Sequence, residues 1–134
     1  MLQVPAADKL VAIARGARAH AYAPYSGFAV GAAVLCADGR IFAGCNIENV
    51  SLGATVCAER VALFKAISEG ARHFRRIAVV AGAATLTPPC GSCRQLLWEF
   101  CGDLEIILAN LQGEEESLRL KDLLPRPYDA SFFM

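Results

Sequence analysis

The sequence contains no long run of uncharged apolar residues. A helix that crosses a bilayer needs roughly 18 or more such residues in a row, and no stretch of this chain of 134 residues reaches that length. The segment from Met1 to Arg15 contains Asp8 and Lys9 and lacks the apolar centre of a secretory signal peptide. We therefore expect no membrane association and a cytoplasmic location.

An excess of charge of one sign is also absent. Lysine and arginine together number 13, as do aspartate and glutamate, so the formal net charge is zero. Domains that bind nucleic acids usually carry a basic surplus that neutralises phosphates, so no nucleic-acid partner is expected. A local basic patch at Arg72, Arg75 and Arg76 remains open, although a solvated turn after a helix explains these residues more simply.

Apolar residues, in contrast, are abundant. They make up 55% of the sequence, and the mean hydropathy of +0.39 is high for a soluble monomer. With membrane insertion set aside, this composition favours an oligomer whose apolar surfaces are covered by other subunits. The chain is long enough to bury a core of its own as one domain, residues 1–134.

The order of apolar runs and helical patterns predicts an α/β fold. Helical spacing and boundary residues predict helices at residues 5–21, 57–70, 90–101 and 121–124. Short apolar runs predict strands at residues 28–36, 41–45, 76–81, 104–109 and 118–120. The turn Ala37-Asp38-Gly39-Arg40 joins the first two strands as a hairpin. We expect a mixed five-stranded sheet between helices, with a hairpin at one edge and parallel strands joined by right-handed crossovers.

Three of the six cysteines are candidate metal ligands: Cys57, Cys90 and Cys93. The spacing of Cys90 and Cys93 at a helix start puts both sulfurs on one face. Tetrahedral zinc with Zn–S distances near ~2.3 Å needs sulfurs roughly 3.8 Å apart, which this spacing can supply. Cys57 lies at the start of another helix. Three thiolates hold a zinc ion and leave its fourth tetrahedral position free.

The negative charge of such a centre has partners in the sequence. Three thiolates leave a Zn²⁺ centre net anionic, and the positive ends of two helix dipoles offset part of that charge. Arg60, one turn after Cys57, is placed to donate hydrogen bonds to a ligand sulfur. The alternative is an ordinary surface arginine.

Glu59 lies two residues after Cys57 and is the candidate proton carrier. Thiolates donate more charge to zinc than imidazoles do, so a bound water is less acidic and an adjacent base becomes more necessary. As a carboxylate Glu59 can accept a proton from water, and as an acid it can pass the proton to a substrate. The alternative is a carboxylate that only complements the helix dipole.

The cysteines are open to several further interpretations. A closed structural zinc site needs a fourth ligand, for which the candidates are Cys36, Cys45, Cys101, His20 and His73. A Cys-x-x-Cys redox pair is also possible, as are simple buried thiols. Disulfides are not expected in a cytosolic chain, and the apolar neighbours of Cys36, Cys45 and Cys101 indicate small buried side chains.

Five motifs in order give the sequence a family resemblance. They are Tyr25-Ser26-Gly27-Phe28-Ala29-Val30-Gly31-Ala32-Ala33, Gly44-Cys45-Asn46-Ile47-Glu48-Asn49, Cys57-Ala58-Glu59-Arg60, Pro89-Cys90-Gly91-Ser92-Cys93-Arg94-Gln95 and Leu123-Leu124-Pro125. Zinc deaminases share a motif of His or Cys, any residue and Glu, followed by Pro-Cys-x-x-Cys. Over nearly its whole length the chain resembles the cytidine deaminase family in its short, all-cysteine, homotetrameric form.

The resemblance implies a three-layer αβα fold and a hydrolytic deamination. The expected reaction converts cytidine and 2′-deoxycytidine to the corresponding uridines with release of ammonia, as in pyrimidine salvage. One Zn²⁺ per subunit is implied, with Cys57, Cys90 and Cys93 matching its ligands. Glu59 matches the family's proton shuttle, and Arg60 matches an arginine that hydrogen-bonds ligand sulfurs.

The resemblance also implies contacts with the nucleoside. Asn46 and Glu48 match the pair that hydrogen-bonds the ribose 3′-hydroxyl. In extended chain these two side chains face the same side, and a carboxylate there would repel a 3′-phosphate. Phe28 matches an aromatic that packs on the pyrimidine, although by its sequence alone it is simply a core residue. The backbone of Ala58 matches a contact to the base.

The family resemblance leaves some features of the chain open. A C-terminal aromatic, Phe132 or Phe133, resembles the residue that helps close an active site in the family's tetramer. Leu52 departs from the family, which commonly has an aromatic there, so substrate preference and interface detail stay open. Three rival functions are a deaminase of a modified cytosine nucleoside such as blasticidin S, a polynucleotide-editing deaminase and a non-catalytic zinc-stabilised interaction module. A purely structural zinc site would have no use for Glu59.

Overall fold

The computed structural model describes residues 6–134. Its helices are α1 (Ala6–Arg18), α2 (Ala58–Ser68), α3 (Gly91–Cys101) and α4 (Leu120–Leu123). Its strands are β1 (Val30–Cys36), β2 (Ile41–Cys45), β3 (Phe74–Ala81), β4 (Glu105–Ala109) and β5 (Glu115–Arg119). Short 3₁₀ turns lie at Leu52–Ala54 and Ala130–Phe132. No helix among these residues is long and apolar enough to span a bilayer.

One five-stranded sheet has the order β2-β1-β3-β4-β5. β1 is antiparallel to both β2 and β3, β3 is parallel to β4, and β4 is antiparallel to β5. The hairpin between β1 and β2 turns at Gly39, whose φ of +94° is a conformation that glycine adopts without strain. The chain then crosses β1 through α2 to reach β3, and α3 connects β3 to β4. The predicted mixed sheet with a hairpin edge is confirmed.

Helices cover both faces of this sheet. Because alternate residues of a strand point to opposite faces, Ala78 and Val80 of β3 pack in a core with α1. Ile77 and Val79 of the same strand pack in the core that contains residues of α2 and α3. Burial on both faces explains why the central strands are nearly continuous apolar runs. The predicted arrangement of one sheet between two helical layers is confirmed.

Several element boundaries differ from the predictions; β3, for example, begins at Phe74, two residues earlier than predicted. α1 ends at Arg18, and the predicted start of this helix at Pro5 lies outside the described residues. β1 begins at Val30, two residues later than predicted, because the side chain of Asn46 pairs with the backbone there. β5 begins at Glu115, three residues earlier than predicted and inside a run of three glutamates at 114–116. An edge strand pairs through its backbone, so its charged side chains can stay in solvent.

The prediction for the buried face of α2 is wrong at one residue. Helical spacing places Val61, Phe64 and Ile67 toward the core, and Ile67 does pack against it, yet Phe64 is 43% exposed. Its ring contacts Phe100 edge to face, with ring centroids 6.5 Å apart. The buried apolar residues of α2 are Ala58, Ala62, Leu63 and Ala66. Three of these four are alanines because α2 lies very close to β2.

Gly44 of β2 makes this close contact possible, and its replacement by alanine should be destabilising. A Cβ at this position would lie 2.6 Å from the backbone nitrogen of Ala62 and 2.9 Å from the carbonyl oxygen of Ala58. We expect Gly44→Ala to lower the free energy of unfolding by about 1–3 kcal/mol, because the helix backbone must move. Urea denaturation measures the change.

The control for this prediction is Gly16→Ala in α1. A Cβ at Gly16 would have nothing within 4 Å. Alanine is also the better helix former, so this variant should be neutral or up to about 1 kcal/mol more stable. Equal stability of the two variants would contradict the close packing of α2 on β2.

Candidate active site

The three predicted sulfur ligands lie together at the starts of two helices. Cys57 is the residue that caps the N-terminus of α2, and Cys90 caps that of α3. Cys93 follows in the first turn of α3 and is buried. The three Sγ atoms lie within 4.8 Å of one another, and those of Cys57 and Cys90 are 3.8 Å apart. A separation of roughly 3.8 Å is what a tetrahedral zinc ion requires of its sulfur ligands.

The donor set fits a zinc ion with an open position. Thiolates are soft ligands that favour zinc over magnesium or calcium. Within residues 6–134, the ligand-type atoms that cluster here are these three sulfurs alone. The candidates for a fourth ligand, namely Cys36, Cys45, Cys101, His20 and His73, are not part of the cluster. The geometry therefore favours an open site over a closed structural site.

Arg60 compensates part of the negative charge of the cluster. Its Nη2 atom donates to the Sγ of Cys57 across 3.4 Å. A hydrogen bond with the Cys93 thiol, together with this guanidinium, lowers the pKa of Cys57 to about 5. The hydrogen bond to ionised Cys57, together with burial of the thiol, raises the pKa of Cys93. One thiolate therefore forms readily, and a bound dication favours ionisation of the others.

Glu59 is a buried carboxyl group beside the sulfurs. The residue is 5% exposed. Burial, together with the nearby charge of Cys57, raises the pKa of Glu59 to about 7. A carboxyl group with a pKa close to neutrality can both accept and donate a proton, which is the property of a general acid and base.

A single cavity joins Glu59 to the predicted substrate-binding residues. Its volume is about 270 Å³, and Cys57, Cys90 and Glu59 are among the residues that line it. The four residues predicted to contact substrate also line it: Phe28, Asn46, Glu48 and Ala58. No pattern in the sequence indicates the further lining residues Thr55, Val79 and Thr87. They come from separate segments that only the fold brings together.

A protein-family model, described as the cytidine and deoxycytidylate deaminase zinc-binding region, matches residues 5–109. The chain belongs to this deaminase family. A cytidine deaminase of Sporosarcina psychrophila is 50% identical over 119 residues, which is 88% of each chain. One of Halalkalibacterium halodurans is 52% identical over 115 residues, 85% of this chain and 87% of that one.

Solved structures of the deaminase family share this fold. The crystal structure of cytidine deaminase from Burkholderia pseudomallei matches with a TM-score of 0.87 and 46% identity, covering 90% of this chain and 98% of that one. The cytidine deaminase of Mycobacterium tuberculosis matches with a TM-score of 0.81 and 42% identity, covering 95% and 99%. The predicted family and its α/β fold are confirmed.

In this member of the deaminase family, the side chain of Asn46 holds the entry to β1. Its Oδ1 atom accepts a hydrogen bond from the Val30 amide at 2.9 Å, and its Nδ2 atom donates to the Phe28 carbonyl at 2.8 Å. The residue is 8% exposed. Asn46 therefore fixes the backbone on both sides of Ala29, and with it the position of Phe28.

Glu48 anchors the turn that precedes β1. Its Oε1 atom accepts from the amides of Tyr25 and Ser26 at 2.9 and 3.0 Å, and its Oε2 atom accepts from the Ser26 hydroxyl. These hydrogen bonds, above all those from Ser26, lower the pKa of Glu48. The group is therefore a carboxylate at neutral pH, and its oxygens keep lone pairs for a further donor.

The C-terminal aromatics lie away from the cavity of their own chain. Tyr128 stacks on Phe132 and Phe133 with ring centroids 5.5 and 6.2 Å apart. Phe132 and Phe133 are 71% and 67% exposed. Leu52, in the 3₁₀ turn after β2, is 70% exposed. None of them lines the cavity beside Glu59.

Proposed function

We propose that the protein is a zinc-dependent cytidine deaminase. It hydrolyses cytidine and 2′-deoxycytidine to uridine and 2′-deoxyuridine and releases ammonia. The observation that carries this proposal is a cluster of three sulfurs, two of which line a cavity that the buried carboxyl group of Glu59 also lines. Membership of the deaminase family supports the same chemistry.

Cys57, Cys90 and Cys93 would hold the zinc ion. When bound, zinc supplies the Lewis acid that lowers the pKa of a water molecule in the cavity. Glu59 as a carboxylate takes a proton from the attacking water, which adds to C4 of the pyrimidine. As a carboxylic acid Glu59 then protonates the ring nitrogen. It next takes the proton of the new hydroxyl at C4 and delivers it to the amine, so that the C4–N bond breaks, the C4 carbonyl forms and ammonia departs.

The cavity walls suit a pyrimidine nucleoside. Phe28 and Ala58 line the cavity, where the ring of Phe28 would pack on the base and the backbone of Ala58 would contact it. Asn46 and Glu48 retain hydrogen-bonding capacity for the sugar 3′-hydroxyl. The charge of Glu48 disfavours a 3′-phosphate, which favours a nucleoside over a polynucleotide.

We propose further that the enzyme acts in the cytoplasm, in pyrimidine salvage, as a homotetramer of single-domain subunits. The cytosol keeps thiols reduced, and the proposed ligands are three reduced thiols. The exposed aromatics Tyr128, Phe132 and Phe133 offer apolar surface for a neighbouring subunit. In the tetramer one of the two phenylalanines would help close a neighbour's cavity. Light scattering measures the mass of the assembly in solution. A measured mass of 14.3 kDa, which is that of one subunit, would exclude the tetramer.

An absorbance assay with cytidine tests the proposed function. We expect zinc-loaded protein to convert cytidine and 2′-deoxycytidine, and a chelator to stop the reaction until zinc is restored. Turnover of blasticidin S without turnover of cytidine would indicate a deaminase of modified nucleosides. Zinc binding with no turnover of any cytosine nucleoside would indicate a non-catalytic zinc module.

Glu48→Gln should raise KM for cytidine with a smaller effect on kcat. The glutamine amide presents an NH₂ group where a carboxylate oxygen now accepts from the turn at Tyr25 and Ser26. The turn that positions Phe28 therefore loses part of its anchor, and the sugar loses an acceptor. Loss of a hydrogen bond to a charged group predicts roughly a tenfold rise in KM. Steady-state kinetics measure it.

The control for Glu48→Gln is Glu115→Gln. Glu115 lies exposed on the edge strand β5, so its neutral replacement should leave both kinetic constants unchanged. If KM of the Glu48→Gln enzyme equals that of the wild type, the carboxylate has no part in binding the nucleoside.

A further inference from the structure

The segment 82–90 leads from β3 to α3 and ends at Cys90. It is irregular throughout, and in the described part of the chain residues 83–89 make no backbone–backbone hydrogen bond outside helices and strands. Instead, two side chains donate hydrogen bonds to backbone carbonyls of this segment. Asn110 donates from Nδ2 to the Ala84 carbonyl at 3.2 Å, and Arg94 donates from Nε to the Pro89 carbonyl at 2.7 Å. The position of Cys90 therefore depends on side-chain contacts.

Arg94 connects this segment to the C-terminal part of the chain. While its Nε atom bonds the Pro89 carbonyl, its Nη1 atom donates to the carbonyl of Leu123, the last residue of α4, at 3.0 Å. A guanidinium presents its donors in a rigid planar fork, so the two bonds fix both carbonyls relative to each other. α4 is itself anchored, because Leu120 is fully buried and its amide bonds the Leu104 carbonyl.

We propose that Arg94 is a positioning residue for the metal centre. It holds the peptide that precedes Cys90 against α4 and so keeps the Sγ of Cys90 in place for zinc. Cys90 is exposed, so packing does not hold its side chain. Pro89 is fully buried, so its carbonyl has little access to a water molecule that would replace the arginine.

The three ligands are held in different ways. Cys93 is buried within α3, and Cys57 receives a hydrogen bond from Arg60. Cys90 depends on the Pro89 carbonyl and on the hydrogen bond that its own carbonyl accepts from the Arg94 amide at 2.9 Å. Loss of the Arg94 side chain should therefore loosen Cys90 selectively and speed the release of zinc.

The inference rests on the proposed function to the extent that the three sulfurs bind zinc. The zinc content and cytidine turnover of the wild-type protein test that part separately. If the wild type holds no zinc, the proposed function fails. If the wild type holds zinc and the Arg94 variants hold it equally well, only the role of Arg94 fails.

The experiment compares zinc release from wild type, Arg94→Ala, Arg94→Lys and Arg40→Ala. Arg40 is the matched control, because its Nε and Nη1 atoms bond Asp38 and the Glu69 carbonyl at the opposite end of the sheet. Zinc-loaded proteins are mixed with excess chelator, and metal transfer is followed by absorbance. We expect release from Arg94→Ala at least about tenfold faster than from wild type, and release from Arg40→Ala unchanged.

The rate of zinc release from Arg94→Lys should lie between those of the wild type and Arg94→Ala, because one ammonium cannot reproduce the two fixed bonds of the guanidinium. If Arg94→Ala does not fold, Arg94→Lys decides by the same comparison. The cobalt-substituted proteins add a spectroscopic signature, since displacement of Cys90 should alter the sulfur-to-cobalt absorption in Arg94 variants and not in Arg40→Ala. Wild-type release rates in the Arg94 variants, or equally fast release from Arg40→Ala, overturn the proposal.

Discussion

Glu59→Gln is expected to lower kcat for cytidine by roughly 10²- to 10⁴-fold while zinc content stays at the wild-type value. The amide keeps the size of the side chain but neither accepts nor donates the protons of the reaction. Because Glu59 handles every proton transfer in the proposed mechanism, the loss should lie toward the upper end of this range. Glu59 lines the cavity beside the sulfurs, but its carboxylate does not belong to the cluster of candidate metal ligands. The metal should therefore remain bound.

Glu99→Gln is the control for this variant. Glu99 is exposed on α3, and its replacement should leave kcat unchanged. Steady-state kinetics and elemental analysis of zinc give both readouts on one protein sample. Near-normal turnover by the Glu59→Gln enzyme would refute its assignment as proton carrier, whatever the zinc content.

Cys90→Ala is expected to remove zinc and deaminase activity together. Two sulfurs then remain for a metal that needs three protein ligands at an open site. Loss of a mere hydrogen-bond partner of a ligand costs up to about 100-fold in affinity or activity, so loss of the ligand should cost more. Zinc at about a thousand times its Kd stabilises a protein by about 4 kcal/mol, and the variant should forfeit that contribution in a melting curve recorded with zinc.

Cys45→Ala provides the comparison. Cys45 lies half-buried at the end of β2 and outside the sulfur cluster. This variant should retain zinc and activity, and its melting temperature should still rise when zinc is added. Full zinc content in Cys90→Ala would show that the sulfur of Cys90 is not a ligand.

The metal cluster and the sheet are predictable from the sequence for physical reasons. The spacing of Cys90 and Cys93 at a helix start constrains their sulfurs locally, whatever the rest of the fold. Cys57 and Glu59 share the first turn of another helix, so their proximity is also local. The buried strands are recognisable because burial on both faces requires nearly continuous apolar runs.

Other features depend on contacts between distant residues. The side chain of Asn46 bonds Phe28 and Val30, and Glu48 bonds the turn at Ser26. The alternation of polar side chains predicts that both face one side of an extended segment, but it does not reveal that they anchor the turn before β1. The outward position of Phe64 is not predictable either, because helical spacing alone does not show how closely Gly44 brings α2 to the sheet.

X-ray absorption at the zinc edge of the zinc-loaded protein distinguishes an open catalytic site from a closed structural one. The geometry of Cys57, Cys90 and Cys93 predicts three sulfur neighbours near ~2.3 Å and one lighter oxygen or nitrogen neighbour near ~2.0 Å. A shell of four sulfurs would mean a closed structural site and contradict the proposed chemistry. A shell without sulfur would mean that the metal binds elsewhere.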